Sequence, residues 1–160
     1  MVANILTGVA RQGPNRMVIV NSHLEPAHIA ALAAAAQRAR NESQAAIAFP
    51  DQREPRWAAT LSEEFRQGAR HAGSYETSLM LAARPDAVRQ EMLRGLPPVW
   101  VDLPARLQEG AKTFAEAGGT VGYFGDPAQA TAEEGERLFD ALARMVLTSL
   151  DEAIALTHDA

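Results

Sequence analysis

The chain has 160 residues, of which 47% are hydrophobic and 22% charged, and a formal charge of -5; such a chain can bury a core without staples and reads as one domain over residues 1–160. It contains no cysteine, which excludes disulfides, thiolate zinc sites, iron–sulfur clusters and cysteine nucleophiles. Net negative charge and a single lysine, Lys112, argue against a protein that tracks nucleic-acid phosphates.

No apolar stretch approaches the roughly 20 residues that a bilayer span requires. The first residues also lack the charged-then-apolar order of a signal peptide, so a cytoplasmic location is expected. A helix is predicted from about Val2 to Arg11, closed by the turn Gly13-Pro14-Asn15. Met17 to Val20 is a continuous apolar run and reads as a buried parallel strand. The polar stretch Asn21-Ser22-His23-Leu24-Glu25 follows, and Pro26 suits the first turn of a long alanine-rich helix, where its missing amide is not needed. Gln44 to Phe49 is the second apolar run, which makes a βαβ unit. Open α/β sheets bind ligands beyond the carboxyl ends of such strands.

Asp51 to Trp57 is charged, follows Pro50, contains Pro55 and reads as a loop, followed by a helix from about Ala58 to Ala69. The segment His71-Ala72-Gly73-Ser74-Tyr75-Glu76-Thr77-Ser78 leads into a short helix that stops before Pro85. Further elements are predicted as a helix over Asp86 to Leu93, a strand or extended segment Val99 to Asp102, a helix Leu107 to Ala117 ending at Gly118-Gly119, and a strand Thr120 to Phe124. Gly125-Asp126-Pro127 breaks that strand. The capping-box pattern at Thr131 to Glu134 then opens a C-terminal helix with Leu138, Leu142, Met145 and Val146 on one face.

Several residues bear on chemistry. His23 and Glu25 stand two apart at a predicted strand end, so in extended backbone both side chains point the same way. An imidazole beside a carboxylate suits a divalent metal such as zinc or manganese; a histidine bonded to a glutamate, or a helix-start carboxylate beside Pro26, produces the same letters. His28 falls in the first helical turn and is expected at the surface. His71, before Ala-Gly, lies in tight backbone, and Glu76 lies at a helix N-terminus, where negative charge is favoured. Such a turn either fixes a general base or is a cap in which Glu76 bonds free amides. Arg70 would disfavour an imidazolium at His71 if the two side chains were close. Trp57, in the charged loop after the second strand, is either a packing residue or one that closes over a substrate, and Ser22 in the first strand-end loop is a second substrate-binding candidate. The glycines fit neither GxGxxG nor GxxxxGK[ST], and no GxSxG elbow is present, which argues against nucleotide binding and a serine hydrolase.

Taken in order, the blocks MVIVNSHLEP, RHAGSYETSLMLAARPDAV and GYFGDPAQATAEEGERL resemble the creatininase (creatinine amidohydrolase) family over nearly the whole chain. The most specific piece is HAGxxETSxML followed by P-D-x-V. The resemblance implies an α/β, layered fold with a mainly parallel sheet flanked by helices. It also implies an oligomeric, metal-dependent amidohydrolase that cleaves a C–N bond of a small cyclic amide or formamide-type substrate. His23 and Glu25 correspond to metal ligands for zinc or manganese, and His71 and Glu76 to catalytic positions. A metal-bound water of lowered pKa would attack the carbonyl, and His71 would pass a proton to the leaving nitrogen. Arg70 stands where creatininase itself has an acidic residue, which argues against creatinine as substrate. Family members carry a Glu-x-His and a further Asp upstream, and no counterpart precedes Met17. A second chain is therefore expected to supply the missing ligands; the alternatives are a truncated fragment and a noncatalytic structural or regulatory subunit.

Overall fold

The computed structural model describes residues 1–158. The chain divides into two compact units, one formed by Met1–Gln52 with the chain from Leu142 onward, the other by Arg53–Ala141.

In the first unit, α1 (Val2–Arg11) forms over the predicted span. Its one buried hydroxyl, on Thr7, donates back to the Ala3 carbonyl at 3.1 Å, so burial leaves no orphaned donor. Gly13, at φ 115°, turns the chain where few side chains could. β1 (Arg16–Val18) and β2 (Ala46–Ala48) then pair in parallel, with Met17 opposite Ile47. The ladder runs one bond further at each end, from the Ala46 amide to the Asn15 carbonyl and from the Ile19 amide to the Ala48 carbonyl. Val20, expected within the strand, is 70% exposed beyond it. All three residues of β2 are buried, which is why its letters are apolar without alternation.

α2 (Pro26–Glu42) is the crossover helix. Its Ala36 and Ala39 are fully buried and pack with Ala45 and Ile47, while Leu6 and Ala10 of α1 close over the same cluster. Methyl side chains at Ala36 and Ala39 let the two helices approach closely, while Ala30, Ala31, Ala33 and Ala34 of the same run are exposed. The regular sheet among the described residues has two strands. The α/β character holds, but this sheet is smaller than the layered one expected.

The second unit is made of short helices and turns around another core. The single helix expected over Ala58 to Ala69 is broken into α3 (Pro55–Ala58) and α4 (Glu63–Arg66). The break is at Ser62, which adopts extended backbone and accepts the Phe65 amide on its hydroxyl at 3.2 Å; serine competes for backbone in this way and so starts helices better than it continues them. α5 (Ser74–Ala83) ends before Pro85 as predicted. Downstream, Val88 is extended, which divides the expected helix into a 3₁₀ turn and α6 (Gln90–Leu93).

The helix expected over Leu107 to Ala117 forms earlier, as α7 (Leu103–Gln108). Asp102 caps it by accepting the Ala105 amide, and Gly110 at φ 101° follows its end. The two late strands shrink to isolated antiparallel bridges, His71 with Phe124 and Val99 with Gly125. Prolines 97 and 98 on one side and Gly118, Gly119 and Gly122 on the other deprive longer ladders of donors and packing side chains. Phe124, fully buried, centres the core with Ala69 and Ala117, and Val99, Val101 and Leu103 lie against it.

α8 (Ala132–His158) begins where the cap was read: Thr131 Oγ1 accepts the Glu134 amide at 3.0 Å. The reciprocal half of the capping box gives way to an ion pair between Glu134 and Arg137. Gly135 is required here, because a Cβ would collide with the Ser78 carbonyl of α5. Among the described residues no helix is long and apolar enough to cross a membrane.

Candidate functional site

The predicted site residues fall in two places, His23 and Glu25 with Ser22 in the first unit, His71 and Glu76 with Trp57 in the second.

In the first, the polar loop after β1 is tied to itself. The Asn21 side chain donates to the His23 carbonyl at 2.7 Å, and its oxygen accepts the His23 amide at 3.3 Å. His28 Nε2 meets the same Asn21 oxygen at 3.0 Å. The His23 and His28 rings stand edge to face with centroids 5.2 Å apart. Glu25 is the N-cap of α2: its two carboxylate oxygens accept the Ala27 amide at 3.0 Å and the His28 amide at 2.6 Å. Those two bonds, with a smaller contribution from the nearby imidazoles, hold its carboxyl below the ordinary glutamate range. The helix-start alternative for Glu25 is therefore realised. Ser22, His23, Glu25 and His28 are all exposed.

In the second, the HAG turn is built tightly. His71 pairs across the bridge by accepting the Phe124 amide on its carbonyl at 2.8 Å. Its ring is partly exposed and tilts against Phe114 at 4.5 Å, and Phe114 in turn meets Phe124 edge-on at 5.1 Å. Ala72 has a φ of 50°, the only positive value on a non-glycine among the described residues. Glu76 stabilises that conformation: its Oε2 accepts the Ala72 amide at 2.6 Å. Arg70, expected to influence His71 if close, lays its guanidinium over the Phe65 ring and donates to the Phe65 carbonyl at 2.8 Å. Tyr75 is buried, which pushes its phenol well above the ordinary tyrosine range, with the neighbouring Glu76 charge adding to the effect.

Trp57 belongs to α3 and not to a loop as predicted. Arg56 stacks on its ring at 4.3 Å. Its indole N–H is buried and has no acceptor among the described residues.

A residue that sequence reasoning missed organises this region. Glu64, 5% exposed, sends its carboxylate into the start of α5, where Oε1 accepts the Tyr75 amide at 2.8 Å and Oε2 the Ser74 amide at 2.9 Å. The same Oε2 accepts the Asp126 amide at 2.7 Å. Gly73 and Gly125 both lie so close that a Cβ on either would collide with this carboxylate. The only sequence signals were those two glycines, in HAG and in GDP; neither names its partner.

A metal ion needs three or more converging ligands in such proteins, four for zinc in a closed site. Among the described residues no group of three His, Asp or Glu side chains could hold one. Glu25, whose two oxygens both face backbone amides, is oriented for capping. The described residues do not by themselves fit a metal centre.

A family model described as creatininase, creatinine amidohydrolase, matches residues 1–150. A mycofactocin precursor peptide peptidase of Mycolicibacterium smegmatis is 33% identical over 131 residues, covering 81% of this chain and 46% of that protein. The protein of the same description from Mycobacterium tuberculosis is 40% identical over 77 residues, 47% of this chain and 29% of the relative. The chain thus spans less than half the length of these curated relatives. No solved structure gives a significant match.

Proposed function

This chain belongs to the creatininase family, and from that premise we propose that it is a subunit of a hydrolase that cleaves an amide C–N bond. Relatives described as peptide peptidases favour a peptide bond as the target over the small cyclic amide or formamide that the family resemblance first suggests. The observation that carries the reading is the HAG turn, where Glu76 and the Phe124 bridge fix the backbone at Ala72 and His71, and the partly exposed His71 ring rests against Phe114. Fixed geometry of this kind is what a proton-transferring group requires.

In the reaction, a water oxygen adds to the carbonyl carbon, the C–N bond breaks, and the departing nitrogen gains a proton. His71 carries that proton. Glu76 maintains the turn through one carboxylate oxygen and keeps a second as an acceptor for a substrate N–H. Trp57 is the proposed substrate contact in the second unit and Ser22 the one in the first. Members of the family are generally metal-dependent; here His23 and Glu25 are the proposed contribution to a zinc or manganese site that side chains of another chain complete. A second reading, a noncatalytic subunit, is favoured by one observation: both Glu25 oxygens already cap α2.

Metal analysis and native mass spectrometry separate the two. The chain is prepared alone and co-expressed with the product of its neighbouring gene, and both preparations are assayed on peptide and cyclic-amide substrates. Metal and turnover confined to the hetero-complex support the split hydrolase; neither in either preparation supports the noncatalytic subunit. Within a metal-bearing complex, His23→Ala is expected to lower metal occupancy far more than His28→Ala, and equal occupancy would remove His23 from the ligand set.

A further inference from the structure

We propose that Glu64 is the positioning residue for His71, acting through backbone and not by contact with a substrate. The inference deepens the reading of His71 as the proton carrier and rests on it. His71 lies between two segments, the start of α5 and the stretch Tyr123–Asp126, and it is attached to the second by its own bridge to Phe124. Glu64 is the side chain that ties these segments together. Its Oε2 accepts simultaneously from Ser74 on one and Asp126 on the other, while Oε1 takes Tyr75.

The fit is close on every side. A Cβ on Gly73 would strike both Glu64 and the Phe124 carbonyl, and one on Gly125 would strike Glu64. The two backbones and the carboxylate therefore occupy one another's only available space. Phe114, on which the imidazole rests, is itself seated against Phe124. Moving the Tyr123–Asp126 stretch relative to α5 thus shifts both the carbonyl and the ring face that orient His71. A buried carboxylate is suited to this task because it accepts several N–H groups at once and polarises all of them.

The test uses the ring itself, so it does not depend on knowing the substrate. In Glu64→Gln one acceptor oxygen becomes an amide nitrogen that cannot accept, and in Glu64→Asp the carboxylate is withdrawn by one methylene. Both variants are compared with Ser78→Ala, a change to a buried hydroxyl of the same unit that bonds the Thr131 amide. The His71 ring resonances, their tautomer-sensitive nitrogen shifts and the exchange rates of the Ser74, Tyr75 and Asp126 amides are recorded for each.

Glu64→Gln is expected to displace the His71 ring shifts and to speed exchange of the three amides by about tenfold or more. Glu64→Asp should restore the shifts part of the way, and Ser78→Ala should leave them in place. Ring shifts unchanged in a folded Glu64→Gln variant would reduce Glu64 to a stabilising residue and overturn the proposal. If neither Glu64 variant folds, the wild-type chain decides: one shared opening rate for the three amides supports the clamp, and independent rates reject it. In the metal-bearing complex, kcat should fall in Glu64→Gln with KM little changed. A displaced ring together with no turnover in the hetero-complex either would retain Glu64 as the clamp and reject His71 as proton carrier.

Discussion

Glu25 and Glu64 perform the same electrostatic task in the two units and do it in opposite surroundings. Each carboxylate accepts the free amides at the start of a helix, Glu25 for α2 and Glu64 for α5. Glu25 is local: it caps the helix that begins at the next residue, in full contact with solvent. Glu64 is remote and buried, comes from a different helix, and includes a third amide from Asp126. Water can replace Glu25 at its amides; nothing present in the core can replace Glu64. The same bond chemistry therefore tunes a helix end in one unit and determines whether a whole turn exists in the other.

The sharpest way to break this comparison is to remove both side chains in turn. Glu64→Ala is expected to lower the stability of the second unit by about 3–5 kcal/mol, because three amides gathered on one buried carboxylate lose their acceptor together. Glu25→Ala should cause a far smaller loss, confined to the first turn of α2. Denaturant unfolding with hydrogen exchange reads both, and losses of equal size would end the contrast.

Next in size are the glycines that make room for Glu64. Gly125→Ala combines a positive φ with a direct collision and should cost about 2–4 kcal/mol, measurable as a lowered denaturation midpoint. Gly13, also at positive φ but with open space around it, supplies the control; its alanine variant should cost about 1 kcal/mol from backbone strain alone. A smaller effect is expected at Ser78, whose hydroxyl accepts the Thr131 amide at 3.1 Å: Ser78→Ala should cost about 1–2 kcal/mol.

The smallest expected effect is a pH dependence at Glu25. Its carboxyl titrates below the ordinary glutamate range in the folded chain, so its contribution is fully present above the unfolded value. That contribution is lost as the pH falls through the lowered folded value. Amide exchange at Ala27 and His28, corrected for intrinsic rates, should therefore accelerate on acidification in the wild type. The acceleration should be absent in Glu25→Gln; a persisting acid response there would assign the effect to another group.

What could be read from the letters follows the same division between local and remote. α1, the Pro26 start of α2, the Thr131 cap and the helix-start role of Glu76 were legible because each signal and its partner lie within a few residues. The HAG turn was legible as tight backbone for the same reason. Glu64 was not, since its partners lie 10, 11 and 62 residues away and its neighbours read as an ordinary helical stretch. The late strands were overread: Val99–Asp102 and Thr120–Phe124 have apolar letters, but flanking proline and glycine reduce them to single bridges. Trp57 was drawn into α3 by Pro55, which starts a helix where charge suggested a loop. Around the candidate site, the helices beginning at Pro26 and near Glu76 form where the letters put them, while the capping use of Glu25 depended on geometry that both readings of the letters allowed.

The span between Glu64 and Asp126 also has a consequence in time. A ribosome delivers the chain from its N-terminus, so Glu64, Ser74 and Tyr75 exist well before the third amide that completes their clamp. The gap of 62 residues corresponds to roughly 3–12 s of synthesis at ordinary elongation rates. Throughout that interval the nascent second unit holds a carboxylate headed for burial, with one of its donors not yet made. The His71 turn is thus completed only once residue 126 has been made, and a stall before that residue would leave the turn unfinished on an otherwise synthesised α5.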